Sequence, residues 1–71
     1  MQEYLLVKYP VTRQVLVDGV DQGKTGTLIS LEPGMHTVRL GGPSDFTPTQ
    51  EIIWLTDTDP LTPMCLTFAP I

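Results

Sequence analysis

Apolar and polar positions alternate with a period of two in short runs along the chain, and Gly, Pro or Asp closes nearly every run. That period marks strands with one buried face, because successive side chains of an extended backbone point to opposite sides. The runs predict strands at residues 4–9, 14–18, 27–31, 36–40, 50–55 and 64–68. The alternation assigns Val15 and Val17 inward, then Ile29 and Leu31, then Val38 and Leu40 with His36 on their side, and Met64, Leu66 and Phe68. In the first strand Leu5 and Val7 compete with Tyr4 and Leu6 for the inner face, and the pattern does not choose between them. The one uninterrupted stretch long enough for a helix, residues 49–59, is rich in β-branched side chains and begins and ends in turn formers, so no helix is expected.

The turns carry their own chemistry. Asp18-Gly19 ends a strand with residues that tolerate positive φ, and Pro33-Gly34 suits the two central positions of a type II turn, read here as linking two hairpin strands. Six strands spaced by such turns predict an all-β fold, a small antiparallel β-sandwich forming a single domain over residues 1–71.

Length and charge narrow the function. A chain of 71 residues has room for one core. Four Lys+Arg against eight Asp+Glu give a net charge of −4, the wrong sign for a nucleic-acid surface or an anionic-lipid binder. Cys65 is the single cysteine, so no intrachain disulfide can form. The longest purely apolar run, Ile52-Ile53-Trp54-Leu55, is far short of the roughly 20 residues that span a bilayer, so no membrane insertion is expected. Met1-Gln2-Glu3 lacks the basic start of an export signal, which leaves the compartment open.

From Pro10 to Leu40 the chain resembles the PEGA domain family. The family pattern runs Pro-x-Gly-Ala-x-Val-x-Val-Asp-Gly, then Gly-x-Thr-Pro, then a strand and Pro-Gly-x-aromatic-x-Val. Pro10, Val15, Val17, Asp18-Gly19, Gly23, Thr25, Leu31, Pro33-Gly34, His36, Val38 and Leu40 fall on it without a gap. Phe46 resembles the family's next aromatic, and Ile53 and Leu55 resemble the inward pair of the strand after it. The departures are Thr12-Arg13 for Gly-Ala, Gly26 for the Pro of Gly-x-Thr-Pro, and His36 for the aromatic. The resemblance implies a PEGA-like β-sandwich, an appendage of envelope, surface or signalling proteins, with no catalytic residues to carry over.

Residues that suggest chemistry have plainer readings beside them. Gly19-Val-Asp-Gln-Gly-Lys-Thr25 has three residues between its glycines where a phosphate-cradling loop needs four, and no helix comes after it, so it reads as a hairpin connection with a polar tip. Asp18 with Asp21, and Asp57 with Asp59, supply too few carboxylates for calcium and read as strand-end caps. His36 is the only histidine and reads as a core or edge residue with a pH-sensitive contact as the alternative; with Cys65 on another strand it makes neither a zinc site nor an activated thiol. No metal, no cofactor and no catalytic constellation is expected.

The informative strand is the fifth. If Ile53 and Leu55 face the core, Ile52 and Trp54 point outward, where the resembled family carries polar residues, and with Leu16 they form a candidate interaction patch. If the strand slides by one residue, Trp54 is core. The balance tilts slightly to the second register. The expected function is a non-enzymatic structural or protein-interaction module whose partner is an unidentified protein or a second copy. Carbohydrate is the alternative ligand, with Trp54 or Tyr9 stacking on a sugar and Asp45, Asp57 or Asp59 accepting its hydroxyls.

Overall fold

The computed structural model describes residues 2–71, so Met1 of the amino-terminal triplet lies outside the described residues. Nine strands run in order: β1 (Glu3–Lys8), β2 (Gln14–Val17), β3 (Val20–Lys24), β4 (Leu28–Leu31), β5 (Gly34–Leu40), β6 (Phe46–Thr47), β7 (Glu51–Leu55), β8 (Met64–Thr67) and β9 (Ala69–Pro70). They form a three-stranded sheet in the order β4-β1-β8, a four-stranded sheet in the order β3-β2-β5-β7, and a β6-β9 ribbon. The fold is the expected all-β sandwich, with no helix among the described residues. No helix of the structure is long and apolar enough to cross a membrane.

Alternation builds the core. Leu5 and Val7 of β1, Val15 and Val17 of β2, Ile29 and Leu31 of β4, Val38 and Leu40 of β5, Ile53 and Leu55 of β7, and Leu66 of β8 meet in one buried cluster. This settles the first strand, since Tyr4 and Leu6 take the other, half-buried side. Phe68, just past β8, packs edge-on against Phe46 with ring centroids 5.7 Å apart. Met64 is partly buried against the same cluster.

Four features differ from the sequence expectation. First, β3 is a strand in its own right, where the segment reads as a loop tip. Asp18 and Gly19 both have positive φ, 53° and 81°, which is the two-residue turn whose twist matches a hairpin, and it folds β3 back onto β2. Second, Pro33-Gly34 does not close a hairpin. β4 and β5 belong to different sheets, so Glu32-Pro33 is an arch that carries the chain across the sandwich, with Gly34 at φ 121°. Third, the sandwich is not wholly antiparallel: β8 pairs with β1 in parallel, Leu5 opposite Met64 and Val7 opposite Leu66. Fourth, β6 and β9 pair through only two residues each, too few for any alternation to show.

Thr25, matched in the Gly-x-Thr step, is buried and ties a loop in place. Its hydroxyl accepts the Arg13 N–H at 3.0 Å and donates to the Val11 carbonyl at 3.1 Å, which fixes the loop between β1 and β2. Beside it Gly26, at φ 80°, donates its N–H to the Val7 carbonyl at 2.9 Å. A proline there could satisfy neither requirement.

Candidate functional site

The register of β7 decides what the surface offers. β5 and β7 pair antiparallel with His36 opposite Ile53, Met35 opposite Trp54 and Thr37 opposite Ile52. Ile53 and Leu55 therefore join the core, and Trp54 stands outside it, against the slight preference of the sequence for a slid strand. Directly opposed side chains share a face with Cβ atoms about 5 Å apart, so Met35 and Trp54 are neighbours and Ile52 lies one step along. All three are open to solvent, at 64%, 65% and 62% exposure. They form an apolar face on a sheet whose other outward positions include Thr37 and Arg39.

β7 is also the terminal strand of its sheet. Sheet edges are ordinarily blunted by Lys, Pro or a bulge, because unpaired N–H and C=O groups invite another strand. Glu51-Ile-Ile-Trp-Leu55 carries no Lys, Pro or bulge, and its one charge, Glu51, stands half-buried at the start of the strand. The opposite edge, β3, carries Asp21, Lys24 and a register shift against β2.

Leu16 lies on the same outer face, half-buried, opposite Arg39 of β5. Two strand spacings and two residue rises separate it from Ile52, on the order of 12 Å. The structure thus brings Ile52 and Trp54 together with Met35 and sets Leu16 apart. Met35 escapes a sequence reading that starts its strand at His36, because only the pairing with Trp54 reveals it.

Of the residues suited to sugar contact, Tyr9, Asp45 and Asp59 are engaged within the fold. Arg13, not singled out from sequence except as a departure from the family pattern, sits 5.6 Å from the centroids of both the Tyr9 and Phe46 rings. It donates to the carbonyls of Gly41 at 3.0 Å and Pro43 at 2.8 Å and forms an ion pair with Asp45 at 2.8 Å. The guanidinium holds the Asp45 carboxyl below its ordinary value. Tyr9 donates its hydroxyl to the Asp45 carbonyl at 3.4 Å. Asp59 accepts the N–H groups of Leu61 at 2.8 Å and Thr62 at 2.9 Å, an Asx turn. Asp57 takes a left-handed φ of 58°.

At one end of the sandwich a cavity of about 260 Å³ opens between the sheets, with Gln2, Asp18, Gln22, Ser30, Glu32 and His36 at its polar rim. The His36 side chain is only 13% exposed. Its Nδ1 lies 2.8 Å from Asp18 Oδ2 and its Nε2 lies 2.6 Å from the Glu32 carbonyl. The Glu32 carbonyl and then Asp18 raise its pKa above the ordinary histidine value, against the opposing effect of burial. Asp18 is held low, chiefly by the Thr37 N–H at 3.0 Å and then by His36. With Asp18 so engaged and Asp21 accepting the Gly23 N–H at 3.2 Å, these carboxylates serve the hairpin. No group of three metal-ligating side chains occurs among the described residues. Cys65 is exposed on β8, its thiol directed at the Pro63 carbonyl, and both His36 nitrogens are engaged away from it.

No protein-family model matches the chain, and no curated protein and no solved structure matches it.

Proposed function

We propose that the chain is a non-catalytic, PEGA-like interaction module that contacts a protein partner through the outer face and free edge of β7. The observation that carries this reading is the exposure of Ile52 and Trp54 on the terminal strand β7, with Met35 of the neighbouring strand β5 exposed beside them. A small domain with few apolar residues to spare for its core places an indole and two aliphatic side chains in water. Trp is the residue whose burial contributes most at interfaces, and an edge strand adds directional main-chain hydrogen bonds for an extended partner segment. The acidic balance points the same way, toward protein and away from nucleic acid. An appendage of an envelope or signalling protein is the setting that the resemblance to the PEGA family would imply for such a module.

A protein partner fits better than a carbohydrate, because Tyr9, Asp45 and Asp59 are engaged within the fold while Trp54 is flanked by apolar side chains. The test is site-specific photo-crosslinking in the source cells. A photoreactive residue at position 54 is expected to trap one discrete protein, a second copy or another chain, that the same residue at exposed Thr67 does not trap. Equal trapping at the two positions, or none at 54, contradicts the reading, and a fluorescence response of Trp54 to a sugar panel would favour carbohydrate.

A further inference from the structure

The two contacts of His36 constrain its charge. A carbonyl oxygen and an ionised carboxylate oxygen accept hydrogen bonds and donate none, and the ring faces one with each nitrogen, at 2.6 and 2.8 Å. Only the imidazolium has two N–H groups to give. A neutral ring keeps one, and the other nitrogen then turns a lone pair toward an oxygen lone pair.

The two acceptors belong to different parts of the sandwich. Asp18 is the first residue of the β2–β3 turn, and it is fixed independently: its carboxylate accepts the Thr37 N–H and its N–H donates to the Thr37 carbonyl at 2.8 Å. Glu32 lies in the arch that crosses from β4 to β5, ahead of Pro33 and of Gly34 at φ 121°. The ring thus bridges the turn and the arch in the lining of the cavity. The charged groups that face it are Asp18 from the turn and Glu32 from the arch; Gln2 before β1, Gln22 from β3 and Ser30 from β4 are uncharged, and Val17 and Leu31 are apolar.

We propose that His36 is a proton-operated latch that, when protonated, ties the β4–β5 arch to the β2–β3 turn beside the cavity, and that on losing its proton releases the arch. The partners set the direction of release. The remaining proton stays on Nδ1, where it faces the carboxylate charge, so Nε2 loses its hydrogen and repels the Glu32 carbonyl. The turn keeps its own hydrogen bonds to Thr37 and stays in place. The moving part is the arch, Glu32-Pro33, between the end of β4 and the start of β5.

Nuclear magnetic resonance of the His36 ring and the backbone amides between pH 5 and 8.5 tests this. The ring is expected to titrate above the ordinary value of about 6.5, to carry its proton on Nδ1 at high pH, and to share its midpoint with the Glu32 amide and the Gly34 amide that bounds the arch, while Gly19 and Val20 move little. Asp18→Asn is expected to lower that midpoint, because it removes the carboxylate charge beside Nδ1, and His36→Phe to abolish the response of the arch. Arch amides that do not track the ring, or a ring protonated on Nε2 at high pH, would overturn the latch. Should His36→Phe fail to fold, the wild-type and Asp18→Asn titrations decide the matter on the same criteria.

Discussion

Two aromatic residues of this chain take opposite roles because of where alternation places them. Phe68 is 1% exposed against Phe46, and Phe68→Ala is expected to cost about 3–5 kcal/mol, a large share of a total on the order of 7 kcal/mol at about 0.1 per residue. Trp54→Ser removes a larger side chain from the outside and is expected to change stability by less than about 0.5 kcal/mol; chemical denaturation of the two variants checks both. Glycines carry the other residue-scale demands. A Cβ at Gly34 would meet nothing within 4 Å, so the cost expected for Gly34→Val, about 1–3 kcal/mol, is assigned to backbone strain at φ 121°. Gly26→Pro would restore the family pattern, yet it is expected to destabilise by about 3 kcal/mol or more, since it loses the bond to Val7 and cannot reach φ 80°. Turn glycines are legible in sequence because the demand is local. Arg13 is not: its partners in the Gly41–Asp45 loop lie some thirty positions away, at |i−j| of 28 to 32, and no local pattern announces them.

At the scale of elements, the strands that alternate were legible and those that do not were missed. Val20-Asp-Gln-Gly-Lys24 lies at an edge with nearly all its side chains exposed, so burial never imprinted a period on it; the Asp18-Gly19 turn alone predicts its pairing. Pro33-Gly34 announced a turn but not whether the chain would stay in its sheet, because that depends on which strands β4 and β5 find. β7 had the same difficulty in sharper form. Ile52, Ile53, Trp54 and Leu55 are all apolar, so period two gives no phase, and only the pairing with β5 supplies it. Adjacent isoleucines therefore make an opposed pair of variants. Ile53→Asp places an unpaired charge in the core and is expected to leave the chain unfolded, whereas Ile52→Asp should fold with near-native stability. Circular dichroism and thermal melts of the two check the register at one-residue resolution.

For the whole molecule, opposing titrations frame a window of greatest stability. Glu3, Asp18, Asp45 and Asp59 are held below their ordinary values, first by hydrogen bonds from Thr58, Thr37, Arg13 and Thr62 respectively. A carboxylate depressed in the folded state contributes stability that is present above its unfolded value, 4.5 for Glu3 and 3.8 for the aspartates, and lost as pH falls through the folded one. His36 is raised, so its contribution is complete below 6.5 and is lost as pH rises through its folded value. Melting temperature should therefore peak between about pH 5 and 6.5 and fall on both sides, with the alkaline fall absent in His36→Phe. Fold class and most of the core could be read from the chain, because burial dictates them. The surface face could be named only as one of two possibilities, and its function rests on which residues the sandwich leaves outside. Trp54 is the only tryptophan, so quenching of its fluorescence by acrylamide in dilute native protein addresses that directly. Quenching close to that of the unfolded chain is the expected result; a native indole shielded from quencher at every dilution would place Trp54 in the core and remove the proposed interaction face.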